Sequence, residues 1–316
     1  MRTRREVVGT GSALGAVALL QRGAADAQSR LDLGPDRLVL LGTRGGPLVT
    51  GPAPTPSANL IVFRGRPYVV DTGYGVTLKL LAAGVPLSAI GVIFVTHHHS
   101  DHNLELGPLI SNAWLAGLST PVDVYGPRGL TALLQGWWAA NRFDIKTRMA
   151  DEGRPDPRRL TRPHEFREGL VVRAEGVRVT ALRNRHPPVA ESFALKFELG
   201  DRTVVFSGDT AYFPPLAAFA RGADILVHEV LYGPALDAMV ARRPNAERLK
   251  ASILSHHTLA ADVGRIATEA GVGTLVLNHF VPGDDAALTE AVWREAVAGT
   301  FRGRVVVGRD LLALPL

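Results

Sequence analysis

The residues best suited to chemistry form one short cluster, His97-His98-His99-Ser100-Asp101-His102. The cluster directly follows the apolar, β-rich run 91–96 and precedes residues 104–115, which are predicted to form a helix. The imidazoles of His97 and His99 can turn toward one point, and the aspartate and the last histidine offer an oxygen and a nitrogen just beyond it. Zinc accepts both ligand types. A chance group of histidines on a polar turn is the alternative, but alternating ligand types directly after a buried strand favour a metal site.

Three further candidate ligands follow β-rich runs in the second half of the chain: His186, Asp209 and His279. Alone, His186 would more often be a core or surface histidine, and Asp209 a turn residue. Open α/β folds place their sites just beyond the carboxyl ends of strands. Four of the candidates are expected at such positions: Asp101, His102, Asp209 and His279.

The first half of the chain predicts the elements that present the cluster. A strand at 38–41 leads into a Gly-rich turn, and β-rich runs at 59–63 and 67–70 form a predicted hairpin. The hairpin ends at Asp71. Its carboxylate would either support the metal loop from behind or cap the following helix.

The composition narrows the possible chemistry. A chain of 316 residues with 46% hydrophobic content can bury one substantial core or two joined half-cores. Cysteine is absent, so a metal must be bound by His, Asp or Glu. The net charge is +5, and part of it lies in the basic N-terminus, which leaves too little to indicate a nucleic-acid surface.

Residues 1–28 have the layout of an export signal. Paired arginines, Arg4-Arg5, precede a short apolar run, and Ala25-Asp26-Ala27 fits a signal-peptidase site. The pair resembles the twin-arginine signal, whose export machinery is therefore an expected partner. The run is too short for a permanent membrane span. An amphipathic helix or an uncleaved anchor is the alternative. The domain to be folded is then 29–316, in a periplasmic or secreted protein.

The segment from about 111 to 168 is predicted to be an insertion within that domain. It contains a helix with Trp137 and Trp138 and the Pro- and Arg-rich stretch 151–167. These residues could wall the site and supply cations for an anionic substrate. The favoured interpretation is that the tryptophans pack a helix and the arginines lie on a solvated loop.

The spacing His-x-His-x-Asp-His, with the later motifs in the same order, resembles the metallo-β-lactamase-fold hydrolases. Within them the chain is similar to the branch of ribonuclease Z and the arylsulfatase-like enzymes, from about Leu38 to the C-terminus. The resemblance implies an α/β fold, an αββα four-layer sandwich. It also implies two zinc ions, with Mn²⁺ or Fe²⁺ as alternatives, that share a hydroxide.

The resemblance assigns the seven ligands to two ions. His97, His99 and His186 would hold the first ion. The second would be held by Asp101, His102 and His279, and Asp209 would bridge the two. True β-lactamases generally lack a carboxylate at that position, which argues against antibiotic hydrolysis.

Two further pairs resemble motifs of the ribonuclease Z branch: His228-Glu229 and His257-Thr258. A leaving alkoxide or phenoxide needs a general acid, and a histidine held by a carboxylate suits that role near neutral pH. The catalytic candidates are therefore Asp101, His257, His228 and Glu229. Val230-Leu231 departs from the first motif, and His256-His257 doubles the histidine of the second. The alternative is that these residues only tie strands to loops.

These residues predict an exported dinuclear zinc hydrolase that cleaves a phosphodiester or sulfate ester. A ribonuclease Z that matures transfer RNA is the first alternative, a lactonase or β-lactamase-like hydrolase the second, and a non-catalytic periplasmic zinc-binding protein the third. The expected substrate is a small anionic ester, because a site with two cations favours negative charge. Nucleic acid is not an expected partner, and a homodimer is left open.

Overall fold

The computed structural model describes residues 32–49, 51–241 and 243–316, and the fold comprises Leu33–Leu316. In these residues, fourteen strands form two seven-stranded sheets. The predicted signal segment 1–28 lies outside the described residues. No helix in the described part of the chain is long and apolar enough to cross a membrane.

The first sheet has the strand order β14-β1-β2-β3-β4-β5-β6. Its strands are β1 (Arg37–Gly42), β2 (Ala58–Phe63), β3 (Arg66–Val70), β4 (Val92–Phe94), β5 (Val122–Gly126), β6 (Thr161–Glu165) and β14 (Leu312–Pro315). The pairs from β14 to β3 are antiparallel, and those from β3 to β6 are parallel. The predicted hairpin is confirmed, with Asn59 opposite Val70.

The second sheet has the order β13-β12-β11-β10-β9-β8-β7. Its strands are β7 (Gly169–Ala174), β8 (Val177–Arg183), β9 (Phe193–Leu199), β10 (Arg202–Phe206), β11 (Ile225–Leu231), β12 (Thr274–Val281) and β13 (Arg304–Val307). The strands β10 to β13 are parallel, and β7 to β10 are antiparallel.

Helices cover the outer face of each sheet. The helices are α1 (Val76–Ala82), α2 (Ser100–Asn103), α3 (Leu106–Leu115), α4 (Leu130–Ala140), α5 (Arg142–Asp151), α6 (Pro157–Leu160), α7 (Pro215–Phe219), α8 (Leu236–Val240), α9 (Ala246–His256), α10 (Ala260–Ala270) and α11 (Glu290–Ala298). Short 3₁₀ turns occur at Leu87–Ala89 and Gly233–Ala235.

The alternation of side chains along β1 shows how the layers are built. Successive residues of a strand point to opposite faces. Leu38 and Leu40 enter the core between the two sheets, whereas Val39 and Leu41 pack against the helices of the first sheet. A third core joins the second sheet to its own helices. The layers therefore run helix, sheet, sheet, helix, as the predicted α/β sandwich requires.

The segment 111–168 is part of this framework rather than a separate cover. It supplies β5 and β6, which extend the first sheet. The ring of Trp137 packs on Gly107, and its Nε1 donates to Ser111 Oγ at 2.9 Å. Trp138 packs against the core of the first sheet. The interpretation of both tryptophans as packing residues is confirmed.

Candidate metal centre

The histidine cluster lies in a loop after β4 that the backbone holds in place. Thr72 N donates to the carbonyl of His102 at 2.7 Å, and His102 N donates to that of His99 at 3.0 Å. The predicted helix 104–115 is observed as α3, and Asp101 and His102 lie in the single turn α2 before it. The loop therefore presents its side chains at the carboxyl edge of the first sheet.

Three imidazoles converge at one point between the sheets. His97 Nε2 lies 3.1 Å from His99 Nδ1, which lies 3.0 Å from His186 Nε2. Donors bound tetrahedrally at zinc–nitrogen distances of about 2.0–2.1 Å are about 3.3–3.4 Å apart. The three nitrogens therefore have nearly the spacing that one ion imposes on its ligands, and Asp209 completes the group.

A second group of donors converges beside the first. His279 Nε2 lies 3.2 Å from His102 Nε2 and 3.3 Å from Asp101 Oδ2. Asp209 approaches this group with both oxygens, Oδ1 at 3.3 Å from His102 Nε2 and Oδ2 at 3.2 Å from His279 Nε2. Asp209 Oδ2 is also 3.9 Å from His97 Nε2. The structure thus brings all seven predicted ligands together and places Asp209 between the two groups.

The position of His279 differs from the expectation that it follows the end of a strand. β12 continues to Val281, and the β11–β12 register shifts at His279, whose φ is 44°. Such a bulge re-aims a side chain. The prediction of the strand end was therefore wrong, because a parallel pairing that resumes after a bulge leaves no mark in residue types.

Two glycines allow close packing around two of the candidate ligands, His279 and Asp209. A Cβ on Gly45 would lie 2.9 Å from His279 Nδ1 and 2.8 Å from the carbonyl of Phe280. Gly208, next to Asp209, has φ +58°, and a Cβ there would lie 2.5 Å from the carbonyl of Phe193. A side chain at either position would therefore push the neighbouring segment away and displace the ligand that it positions.

A second set of contacts fixes which ring nitrogen faces the centre. His102 Nδ1 donates to Asp71 Oδ2 at 2.8 Å, and Thr96 donates to the same carboxylate through its amide and hydroxyl. His186 Nδ1 donates to the carbonyl of His256 at 3.0 Å. In both imidazoles Nε2 is then left for an ion. Of the two roles considered for Asp71, support of the loop is the observed one.

The ionisable groups of the centre shift one another's pKa values. Burial lowers the pKa of His186 to about 4 and holds that of His97 well below its usual range. Burial acts in the same direction on His102, but Asp209 and the other nearby carboxylates outweigh it and raise its pKa well above the ordinary value. In turn, His102 and His279 keep the pKa of Asp209 well below its usual range, against the effect of burial.

The donor set fits a pair of divalent cations. Two carboxylates and five imidazoles, all buried except the half-buried His99, point their donor atoms at one another. Such an arrangement is costly without a positive charge at its centre. His97, His99 and His186 would hold one ion, Asp101, His102 and His279 the other, and Asp209 both.

Glu229 and His257 form a pair at the edge of this centre. His257 Nδ1 donates to Glu229 Oε2 at 3.2 Å, and the backbone N–H groups of Thr210 and Thr258 donate to Glu229 Oε1 at 3.2 and 2.9 Å. Burial lowers the pKa of His257, but Glu229, together with Asp209 and Asp101, outweighs it and raises that pKa above the ordinary value. Since Nδ1 is engaged, Nε2 is the ring atom left to meet a substrate.

His228 is not brought to the same place. Its ring is buried, its Nδ1 donates to the carbonyl of Glu229 at 2.7 Å, and burial lowers its pKa. Among the described residues that line the cavity over the ligand groups, His257 is present and His228 is not. The two residues of the His228-Glu229 motif therefore point in different directions along β11.

The cavity over the centre has walls that the sequence motifs did not indicate. Its volume is about 470 Å³, and its lining includes His99, Asp101, Asp209 and His257. Apolar side chains from the Gly-rich turn and from α8 and α9 also line it: Leu48, Met239, Leu249 and Ile253. The sequence offers one faint sign of this wall, the apolar positions between the His228-Glu229 and His257-Thr258 motifs.

The fold and the paired ligand groups define a metallo-β-lactamase-fold metallohydrolase, a metal-dependent hydrolase that acts on ester bonds. A family model described as a β-lactamase superfamily domain matches residues 66–280, and the chain belongs to this superfamily.

The similar proteins include ribonucleases Z and solved structures of the same fold. Ribonuclease Z of Mycobacterium marinum (strain ATCC BAA-535 / M) is 33% identical over 280 residues, which are 87% of this chain and 96% of the relative. The metallo-β-lactamase fold protein YhfI of Bacillus subtilis has a TM-score of 0.64 at 22% identity, over 89% of this chain and 99% of that one. Human tRNase Z, short form, has a TM-score of 0.64 at 19% identity, over 88% and 98%.

Proposed function

We propose that the protein is a zinc-dependent phosphodiesterase in which His257 is the general acid. The observation that carries this is the position of His257, which lines the same cavity as Asp101 and Asp209 while Glu229 holds its Nδ1. Zinc ions in the two ligand groups would activate water and polarise the phosphoryl group.

The chain's own residues supply the remaining steps. Glu229 fixes the ring of His257 and favours its protonated form, so that Nε2 can give a proton to the leaving oxygen as the ester bond breaks. Asp71 orients His102, and the carbonyl of His256 orients His186. The apolar wall excludes part of the water around the reacting group, which strengthens the electrostatic interactions there.

A comparison of leaving groups tests the role of His257. A nitrophenolate departs without help, whereas an alkoxide must be protonated. His257→Ala should therefore lower kcat/KM by about 10²–10⁴-fold on a dialkyl phosphodiester and much less on bis(p-nitrophenyl) phosphate. Zinc content should stay unchanged, because the seven ligands are elsewhere. An equal loss on both substrates, or a loss of zinc, would make His257 a positioning or structural residue.

Maturation of transfer RNA is the second candidate, because the curated relatives are named ribonuclease Z and align along 87% of the chain. Cleavage of a precursor tRNA at the end of its acceptor stem, compared with turnover of small phosphodiesters and p-nitrophenyl sulfate, separates the candidates. Precursor cleavage with a much higher kcat/KM would favour this candidate, and preferred turnover of the sulfate would favour a sulfatase.

Export bears on the same choice, since transfer RNA precursors stay in the cytoplasm. The proposal that residues 1–28 direct export is supported by Arg4-Arg5 and by Ala25-Asp26-Ala27. Intact-mass measurement on periplasmic material should give a chain without residues 1–27. A cytoplasmic chain that still begins at Met1 would contradict export.

A further inference from the structure

The cavity has two chemically different ends. The inner end is formed by the centre and its acid, through His99, Asp101, Asp209 and His257. Most of the exposed surface of the remaining lining is apolar and comes from Leu48, Met239, Leu249, Ile253 and Val281, beside polar residues that include Ser252 and His256. A molecule whose anionic group meets the inner end would therefore have its other substituent against hydrocarbon.

The apolar wall belongs to the folded core. Ile253 of α9 is buried and packs in one cluster with Leu231 and Val281 of the second sheet and with Leu236 and Val240 of α8. Because strands of the sheet that carries His279 also anchor α8 and α9, the wall has a fixed position relative to the centre. The fold itself therefore sets where this apolar surface lies.

Two leucines on this cavity are left open to solvent. Leu48 comes from the Gly-rich turn and is 43% exposed, and Leu249 comes from α9 and is 36% exposed. Both line the cavity. Exposed apolar side chains that share one concave site commonly mark a binding surface. Their exposed area is available to be covered by an apolar group of a ligand.

The size and charge of the cavity limit what that group can be. A volume of about 470 Å³ is within the range of pockets that enclose small molecules. Arg44 lines the cavity but is paired with Asp284 at 3.2 Å, and Arg243 lies on the exposed side. A surface for a nucleic-acid backbone would instead present many cations. Among the described residues that line this cavity, apolar side chains contribute most of the exposed surface.

We propose that Leu48 and Leu249 select small anionic esters that carry a compact apolar substituent of about the size of an aryl ring. The inference rests on the proposed function, because it takes the inner end of the cavity as the place of the scissile group. The inference adds the chemical nature of the substituent that the ester carries beside its scissile group. Met239 and Ile253 complete the surface on which the substituent packs.

Two stable probes measure this selectivity without turnover. Phenylphosphonate and methylphosphonate carry the same anionic group and differ in the substituent. We expect the zinc-loaded protein to bind phenylphosphonate about 10–30-fold more tightly by isothermal titration, since an aryl ring buries much more apolar surface than a methyl group. In Leu48→Ser/Leu249→Ser the ratio should fall to about 3-fold or less, because the wall then retains fewer apolar contacts.

The control variant is Leu254→Ser on the same helix. Leu254 is 44% exposed and lies outside the described residues that line the cavity. Its loss should leave the ratio unchanged. The affinity for methylphosphonate and the zinc content should be the same in all variants, which shows that the centre is intact.

Two outcomes would overturn the inference. One is a ratio near one in the wild-type protein. The other is a ratio that survives in the double variant. If a precursor tRNA displaced methylphosphonate while the phenyl preference was absent, the cavity would serve RNA instead. Selective binding of phenylphosphonate together with no turnover of any phosphodiester would leave the apolar selectivity standing and contradict the proposed function alone.

Discussion

Replacing Asp71 by asparagine should weaken the binding of one of the two metal ions and leave the binding of the other largely unchanged. Asp71 Oδ2 accepts from His102 Nδ1 at 2.8 Å, and Oδ1 accepts from the amide of Thr96 at 2.8 Å. An asparagine has one acceptor oxygen for these two donors. If the oxygen stays with Thr96, the amide nitrogen faces His102 Nδ1, and the imidazole proton must move to Nε2, the atom directed at the ion.

The size of the effect follows from the role of such supporting contacts. Loss of a carboxylate that orients a metal-bound histidine typically costs about 10–100-fold in metal affinity. At about 1.4 kcal/mol for each factor of ten, this is about 1.4–2.8 kcal/mol. Asparagine is the suitable replacement because φ at Asp71 is 63°, a conformation that asparagine tolerates. The backbone should therefore stay in place.

Titration of zinc against a competing chelator measures the two affinities. In Asp71→Asn we expect one site weakened by the stated factor, and the site of His97, His99 and His186 changed much less. The matched control is Asp123→Asn, since Asp123 Oδ1 lies 2.8 Å from His164 Nε2 in a partly exposed pair at the sheet edge. Two zinc ions held by Asp71→Asn with wild-type affinity would refute the orientation argument.

Three further substitutions give separate tests. Asp209→Ala should abolish activity and leave fewer than two tightly bound zinc ions by elemental analysis, since the Asp209 carboxylate approaches both ligand groups. Full activity with two bound ions would refute its bridging role. Burial lowers the pKa of His257, and Glu229 is the largest of the groups that oppose it, so Glu229→Gln should lower that pKa from its raised value. The loss of kcat/KM for a dialkyl phosphodiester with rising pH should then occur at lower pH, and an unshifted profile would contradict the pairing. Gly208→Ala should lower the free energy of unfolding by about 1–3 kcal/mol in denaturant titrations, because φ is +58° and its Cβ would contact the carbonyl of Phe193; unchanged stability would show that this backbone is not strained.

The sequence predicted the local parts of the centre better than the parts that depend on tertiary packing. His97, His99, Asp101 and His102 are close along the chain, so their spacing alone indicated a metal site. His186 and Asp209 were assigned through a resemblance, since each alone fits an ordinary turn. The wall of α8 and α9 was not predicted, because helix packing against the second sheet decides which apolar side chains face the cavity.

The His228-Glu229 motif shows the same limit at the level of a single pair. Adjacent residues in a strand point to opposite faces, so His228 and Glu229 cannot both reach the cavity through one regular strand. The structure directs Glu229 toward His257, which lines the cavity, whereas neither Glu229 nor His228 is among the described residues that line it. The catalytic role of His228 stays a prediction that no contact in the described residues supports.

The two ligand groups draw on both halves of the sandwich. The loop after β4 of the first sheet supplies the 97–102 cluster. Strand β12 of the second sheet and the loops after β8 and β10 supply His279, His186 and Asp209. Bound ions would therefore act as cross-links between the halves. An ion that binds only the folded chain stabilises it by about 4.1 kcal/mol when its free concentration is 1,000 times its Kd. The thermal resistance of the protein would then depend on the free concentration of the bound metal ion. A compartment poor in that ion would lower the stability of the protein before it emptied the sites and lowered the reaction rate.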